Sequence, residues 1–588
     1  MHLASLSFEE LLERVKTREN HPDKSEDIDI DGTMRYLVAL PISAHTADSV
    51  DVLVRLGRIF YVSAQPAEAL HAASHAARVA VALEDKLLLC RARRMEGLAL
   101  IDLGRFAEAT VAQVESWSLA RDLGDRKKEI LAISGFGGIC VGMGQWNVAI
   151  RYFERARELA EENGFANDEL VERTNLAHCA VQLREPTSGL RALSQFEADT
   201  PGNTQAALTY AYAHYTLARL QVLVGDIAAA RVHAEESARL ARTVRCEKKF
   251  LPPTEAVLGL IDVSSGAVER GLSRLHEALT IAKQLSHTGV PDYLGMFIDA
   301  YEAAGYPDKA LEYLEKLVEW KKEFINAAVI PLQYEGLAEP VQFQTGASIT
   351  DEGLLAKAHS LEADVQDRLQ HFVETAINAE IASGHDLYRT FRVARLAWYL
   401  AAAVGWNQER SRPLSLGAQL CNIGMIAIPT RVLVKPGVLS DAERRVLHDH
   451  TRYGAELLRK SKLRILDVAS VICEQHHECY DGSGYPRGLS GEAIAEEARI
   501  VAICEAFDAM THPRPRRAVP LSIHAALSEV KQGSGTQFDP LFVNVFIDLV
   551  QREFEDHKDL DAFLAEGADE LEYVRARARM ETLLREGN

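Results

Sequence analysis

The stretch 476-HHECYDGSGYP-486 sets two adjacent imidazoles ahead of a glycine-rich turn. Imidazoles, joined by carboxylates that balance charge, suit iron, manganese or zinc ions. Bound ions of this kind activate water at neutral pH, which is what a metal-dependent hydrolase requires. Such a centre takes roughly six protein ligands, carboxylates among them. Upstream, 420-LCNIGMIAIP-429 offers a thiol and a neutral amide but no carboxylate. Arg389 stands four residues before Val393 and eight before Ala397, on the inward stripe of the helix expected over 389-RTFRVARLAWYLAAAVG-405. A guanidinium so placed stays protonated and brings a fixed positive charge into the interior.

The elements that must position these groups are helical, and the first half of the chain repeats itself. The segments 64-AQPAEA-69, 104-GRFAEA-109, 144-GQWNVA-149, 184-REPTSG-189, 225-GDIAAA-230, 266-GAVERG-271 and 305-GYPDKA-310 start 40, 40, 40, 41, 41 and 39 residues apart. Each has a turn residue, usually Gly, followed five positions later by Ala or Gly. The first position suits a left-handed backbone and the second lets neighbouring helices approach closely. Apolar residues at helical spacing flank them, as in 96-EGLALIDLG-104 and 148-VAIRYFERARELA-160. Two helices per unit at this period predict a helical solenoid of about seven units over residues 50–330, with the fourth and sixth degenerate. The pattern resembles tetratricopeptide repeats, which implies a concave groove for a protein or peptide ligand.

The expected organisation is a segment 1–49, the repeats 50–330, a linker 331–350, a connecting helix 351–384 that could carry a conformational signal or pair with its copy in a homodimer, a second helical domain 385–555 and a charged helix 556–588 that is a candidate oligomerisation element. The fold class is all-α. A net charge of −20 argues against a nucleic-acid partner, which needs a basic face, and against an anionic membrane surface. No apolar run approaches the length of a membrane span, and the acidic, amphipathic start is unlike a signal peptide. The eight cysteines include no CxxC pair and read as reduced thiols, so the expected location is the cytoplasm.

The second domain carries, in order, 416-LGAQLCNIGMIAIPTRVLVKPGVLSDAE-443, 447-LHDHTRYGAELL-458, 476-HHECYDGSGYPRGLSGEAI-494 and 499-RIVAICEAFDAMTHPRPRR-517. Together these resemble the HD-GYP family of the all-helical HD superfamily over about 150 residues. That resemblance implies hydrolysis of cyclic di-GMP by a centre of two or three iron- or manganese-type ions. Its pattern maps the first histidine onto Arg389, the His-Asp pair onto Cys421 and Asn422, and the lysine onto Met425. The remaining ligands map onto His450, His476, His477 and Glu505, where the last replaces an aspartate, and a tyrosine maps onto Arg516.

Asn422 is neutral and cannot bridge two cations, so the expected metal content is one iron-, manganese- or zinc-type ion at most, on His450, His476, His477 and Glu505, and not a full dinuclear site. Arg389 is expected to pair with Glu505, or else to meet a phosphate oxygen together with Lys435 and Arg514. The loop residues Asp481, Gly482, Gly484, Tyr485 and Pro486 are read as a contact surface, with Tyr485-Pro486 as an exposed knob to which the family would dock a GGDEF-domain protein. His448-Asp449 is read as a solvated pair, and His385 as lying one helical turn before Arg389. Three readings stay open: a catalytically impaired module that binds cyclic di-GMP or a GGDEF protein, an active phosphodiesterase with an unusual site, and an interaction scaffold.

Overall fold

The structure, a computed structural model, describes residues 7–20, 29–63, 65–194, 204–243, 247–285, 289–329, 351–433, 435, 437–514, 519–554, 557 and 559–585. Ala64, the linker 331–350 and Arg516 lie outside the described residues. The described residues form helices and turns, with no strand among them. Contacts divide the chain into two units, Met1–Leu317 with Ala576–Asn588, and Val318–Arg575.

The first unit is a helical solenoid. Helices Lys86–Asp102, Phe106–Asp122, Arg126–Gly142 and Trp146–Glu162 each have 17 residues, and consecutive ones pack side by side. Asp85 and Asp125 start alternate helices by accepting the backbone N–H groups of Leu88 and Lys128 at 2.9 and 3.0 Å. The intervening turns pass through Gly104, Gly124 and Gly144 at φ 73°, 65° and 73°, a left-handed conformation open to glycine without a steric penalty. In the degenerate fourth unit Arg184 takes that conformation instead, at φ 59°. The small residue five positions on is a packing requirement. Ala69, Ala109, Ala149 and Ala230 are wholly buried, and a β-carbon on Gly189 would lie 2.6 Å from Leu220 Cδ2.

The end of the chain belongs to this unit. From Ala576 onward, helix Glu572–Arg585 lays Ala576, Met580, Leu583 and Leu584 into the core formed by Phe136, Ile139, Met143 and Tyr152. Arg577, only 1% exposed, donates from Nη2 to Gln145 Oε1 at 3.0 Å. This charged helix is therefore seated on its own solenoid.

The second unit builds its core around helix Arg389–Ala403, whose Val393, Leu396, Ala397 and Leu400 meet Leu414, Ile472, Ile500, Phe507, Phe542 and Phe546. These four follow the i, i+3, i+4 spacing that turns one face inward. Helices Asp351–Ala382, Gln408–Leu420, His450–Lys460, Asp467–Gln475 and Glu496–Thr511 supply the residues considered next.

Candidate functional site: an imidazole cluster beside a caged guanidinium

Three histidines converge in the second unit. His450 opens helix His450–Lys460, and His476 follows directly on helix Asp467–Gln475. The backbone of 422–427 abuts the first of these helices so closely that a β-carbon on Gly424 would lie 2.7 Å from Gly454 N, so only glycine fits there. The ligand atoms of His450, His476 and His477 all lie within 4.8 Å of one another. Their ring orientations are locked from behind: His450 Nδ1–H donates to Leu447 O at 2.7 Å, and His476 Nδ1–H to the carbonyls of Ile472 and Cys473, both at 3.0 Å. That tautomer leaves the Nε2 lone pairs of His450 and His476 buried and without a hydrogen-bond partner. Burial, reinforced by His476, pulls the His450 pKa down to about 3; burial and the neighbouring imidazoles likewise hold His477 far below its ordinary value. The cluster is neutral and presents unused lone pairs inward.

Beside it lies Arg389, 1% exposed, as its place on the inward stripe predicts. Its three nitrogens each hold a different carboxylate: Nη1 meets Glu380 Oε1 at 2.6 Å, Nη2 meets Glu505 Oε1 at 2.5 Å, and Nε meets Asp508 Oδ2 at 3.1 Å. Arg392 Nε reaches Asp508 Oδ1 at 2.7 Å, and its other nitrogens hold Asp386. Burial works against the charge on Arg389, but the carboxylates overcome it and raise its pKa well above the usual arginine range. Burial also opposes ionisation of Glu505, yet Arg389 keeps that carboxyl well below the ordinary carboxylate range. Asn422 Nδ2 donates to Glu380 Oε1 at 3.0 Å, while its Oδ1 is buried without a partner. Burial, with Glu380 and Glu505 adding to it, pushes the Cys421 thiol far up, so Cys421 is held as a neutral thiol.

A cavity of about 330 Å³ opens onto these groups, lined by Glu380, His385, Arg389, Asn422, Met425, His477, Tyr485, Glu505 and Arg514 among others. Several expectations are corrected here. Glu505 adjoins the histidines but is committed to Arg389 and lies outside the 4.8 Å cluster. Arg389 has every nitrogen on a carboxylate and is not aimed at a phosphate. Lys435 does not line the cavity; its Nζ binds both oxygens of Glu443 at 2.7 Å, because Ser440 and Glu443 form a capping box that presents the carboxylate to it. Tyr485 is no exposed knob: its ring stacks on His448 at 3.6 Å between centroids and faces His477 at 4.9 Å. His448-Asp449 is not a solvated pair, since His448 is under Tyr485 and Asp449 binds Lys322 Nζ at 2.6 Å. His385 precedes helix Arg389–Ala403 and lies 3.9 Å from Glu380 Oε2.

The loop that carries Tyr485 is pinned at both ends. Glu478 accepts the backbone N–H groups of Arg487 and Leu489 at 2.8 and 3.0 Å, and Asp481 Oδ1 accepts from Ser483 N at 2.9 Å. Gly484 runs against residues 478–479, where a β-carbon would clash with the backbone. Gly482 turns at φ 87°, and the Tyr485–Pro486 peptide bond is cis.

Residues 361–541 match the HD domain family. Over 279 residues the chain is 32% identical to the cyclic di-GMP phosphodiesterase response regulator RpfG of Xanthomonas campestris pv. campestris (strain 8004), a match covering 47% of this chain and 72% of that relative. The chain belongs to the HD-GYP family. A cyclic di-GMP phosphodiesterase of Thermotoga maritima is 36% identical over 167 residues, 28% of this chain and 45% of that one. The 3'3'-cGAMP-specific phosphodiesterase 2 of Vibrio cholerae is 32% identical over 197 residues, 33% of this chain and 38% of that one. The chain spans less than half the length of these last two relatives.

Phosphodiesterases of the HD domain are metal-dependent, and the residues here include a donor set that fits a divalent ion. The orphaned Nε2 atoms of His450 and His476, with His477, form a donor set for a single divalent cation. Arg389 brings a fixed positive charge to the carboxylate half of this HD-GYP pocket. Sequence reasoning missed Glu380 and Asp508. The signal for Asp508 was its place three residues, about one helical turn, after Glu505; Glu380 gave none, being one of several acids on a 32-residue helix.

Proposed function

We propose that this chain is a bacterial signalling protein in which the solenoid binds a protein or peptide partner, while the HD-GYP domain binds a cyclic dinucleotide with little or no hydrolysis. The observation that carries this reading is the caged guanidinium: Arg389, fixed by Glu380, Glu505 and Asp508, stands as a permanent cation where a hydrolytic centre would hold a second metal ion. Asn422 and Met425 add to it, since neither supplies charge to the pocket. Four carboxylates (Glu380, Asp386, Glu505, Asp508) against two guanidiniums (Arg389, Arg392) leave two formal negative charges, 4 − 2, before Arg514 is counted. One divalent ion on His450, His476 and His477 would add positive charge beside these carboxylates and supply Lewis acidity toward a phosphate oxygen. Tyr485 lines the cavity with its ring drawn in against His448 and His477, which favours a ligand in the cavity over docking of a GGDEF protein on the loop.

A second reading, an active phosphodiesterase with a single ion, is favoured by the inward lone pairs of His450 and His476. Metal analysis of the purified chain, calorimetry with cyclic di-GMP and 3'3'-cGAMP, and a turnover assay on both separate the two. Saturable binding with turnover at background is the expected result. Multiple turnovers that vanish on chelation would establish the second reading, and absence of binding would leave an interaction scaffold.

A further inference from the structure

A second cavity adjoins the imidazole cluster on the side of the loop that carries Tyr485. Its volume is about 270 Å³, against about 330 Å³ for the cavity already described. His477, Tyr485 and Glu505 line both, so they form the partition between the two. The smaller cavity runs from Ser483 and Gln537, which are exposed, to His476, which is 2% exposed and whose Nε2 has no hydrogen-bond partner. Of the three clustered imidazoles, His476 and His477 both line it, whereas His477 alone of the three lines the larger cavity. The smaller cavity therefore gives the fuller approach to the donor atoms.

The two walls also differ in their charged groups. Among the described residues, the smaller cavity is lined by Glu478 and Glu505 and by no lysine or arginine. Glu478 accepts the backbone N–H groups of Arg487 and Leu489, which set no formal charge against its own. The larger cavity has Arg389 and Arg514 on its wall. A cleft lined by carboxylates alone raises the local concentration of cations, whereas guanidiniums on a wall suit an anion such as a dinucleotide. The smaller cavity also has room for an ion with waters around it, each water taking about 30 Å³. We infer that the smaller cavity is the entry route of the divalent ion, which passes from Ser483 and Gln537 along Glu478 to His476 without crossing the larger cavity. The inference rests on the reading of His450, His476 and His477 as the ion's donor set, and it leaves the larger cavity to the ligand.

The test loads the full chain, stripped of metal, with divalent cobalt, following uptake in stopped flow by the visible absorption of the bound ion and measuring cobalt per chain at the end point. Ala502 lines the smaller cavity one helical turn before Glu505, on helix Glu496–Thr511, so a larger side chain there obstructs the route. Ala502→Phe is expected to slow uptake by about tenfold or more, because the ion must then wait for local opening of the loop, with the final cobalt content unchanged. Leu433→Trp, which narrows the larger cavity, is expected to leave the rate as it is. Should Ala502→Phe lower the final cobalt content, Gln537→Trp obstructs the same route from an exposed position. Slow uptake by Leu433→Trp beside unaltered uptake by Ala502→Phe would put ion entry in the larger cavity and overturn the inference, as would equal rates in all of these proteins. A wild-type chain that takes up no cobalt, or uptake that survives His450→Ala, would overturn the metal reading itself and the route with it.

Discussion

Burial opposes ionisation of a glutamate in each unit, Glu172 and Glu505, and the two meet it in opposite ways. Glu172, on the solenoid helix Ala166–Leu183, is 1% exposed; burial pushes its carboxyl up to about 7, against hydrogen bonds from Ser134 and Asn175. Glu505 meets the same penalty, but Arg389 Nη2 at 2.5 Å keeps it ionised. The difference teaches what Arg389 is for. A buried carboxylate stays charged when a cation is built in beside it, and a buried guanidinium is tolerated when carboxylates surround it. The HD-GYP pocket therefore keeps its acidic half by supplying the counter-charge from the chain itself.

The most severe way to break this comparison is Arg389→Ala. Removing one member of a buried ionic network leaves Glu380, Glu505 and Asp508 uncompensated, and the expected loss is about 3–5 kcal/mol in urea unfolding of the second unit. Adding Glu505→Gln to that variant should recover part of the loss, because one stranded charge is gone.

The solenoid gives the converse. Folded Glu172 keeps its proton to about pH 7, whereas the unfolded residue releases it near 4.5. The folded state holds the extra proton between those values, so stability falls as pH rises through that window. Glu172→Gln should therefore leave unfolding at pH 4.5 unchanged and stabilise the solenoid by up to about 3 kcal/mol above pH 7. A shift independent of pH would contradict the assignment.

The metal half is tested by stoichiometry. His450→Ala is expected to reduce bound iron or manganese from about one ion per chain to background, whereas Arg389→His with Cys421→His and Asn422→Asp should raise it above one, both read by elemental analysis. Retention of metal after His450→Ala would remove the imidazole cluster from the account. The smallest effect concerns the turns: Glu84 adopts φ 56° at the position that Gly124 and Gly164 occupy in the next two units, and Glu84→Gly should stabilise the solenoid by about 0.5–1 kcal/mol in thermal unfolding.

The solenoid was legible because its code is local. A left-handed turn and a small residue five positions later, as at Gly104 and Ala109, recur among the described units without reference to distant contacts. Arg389 was legible for the same reason, since its inward position follows from helical spacing to Val393 and Ala397. Glu380 and Asp508 were not, because which acid on a helix turns inward depends on what another helix brings to it, here Arg389. Lys435 misled by matching a motif while Glu443, eight residues on, already held its ammonium group. Tyr485 misled because a Gly-Tyr-Pro turn reads as protruding, whereas His448 and His477 draw the ring in.

Gly424 shows how such a pocket changes its chemistry without losing its shape. The register between segment 422–427 and the helix that opens with His450 is set by main-chain atoms meeting across a gap with no room for a methyl group. The approach itself is made by main-chain atoms and not by the side chains of Cys421, Asn422 or Met425. They are exchangeable fittings on a rigid bracket, and an engineer who swaps them inherits a frame already cut to receive either kind of cation.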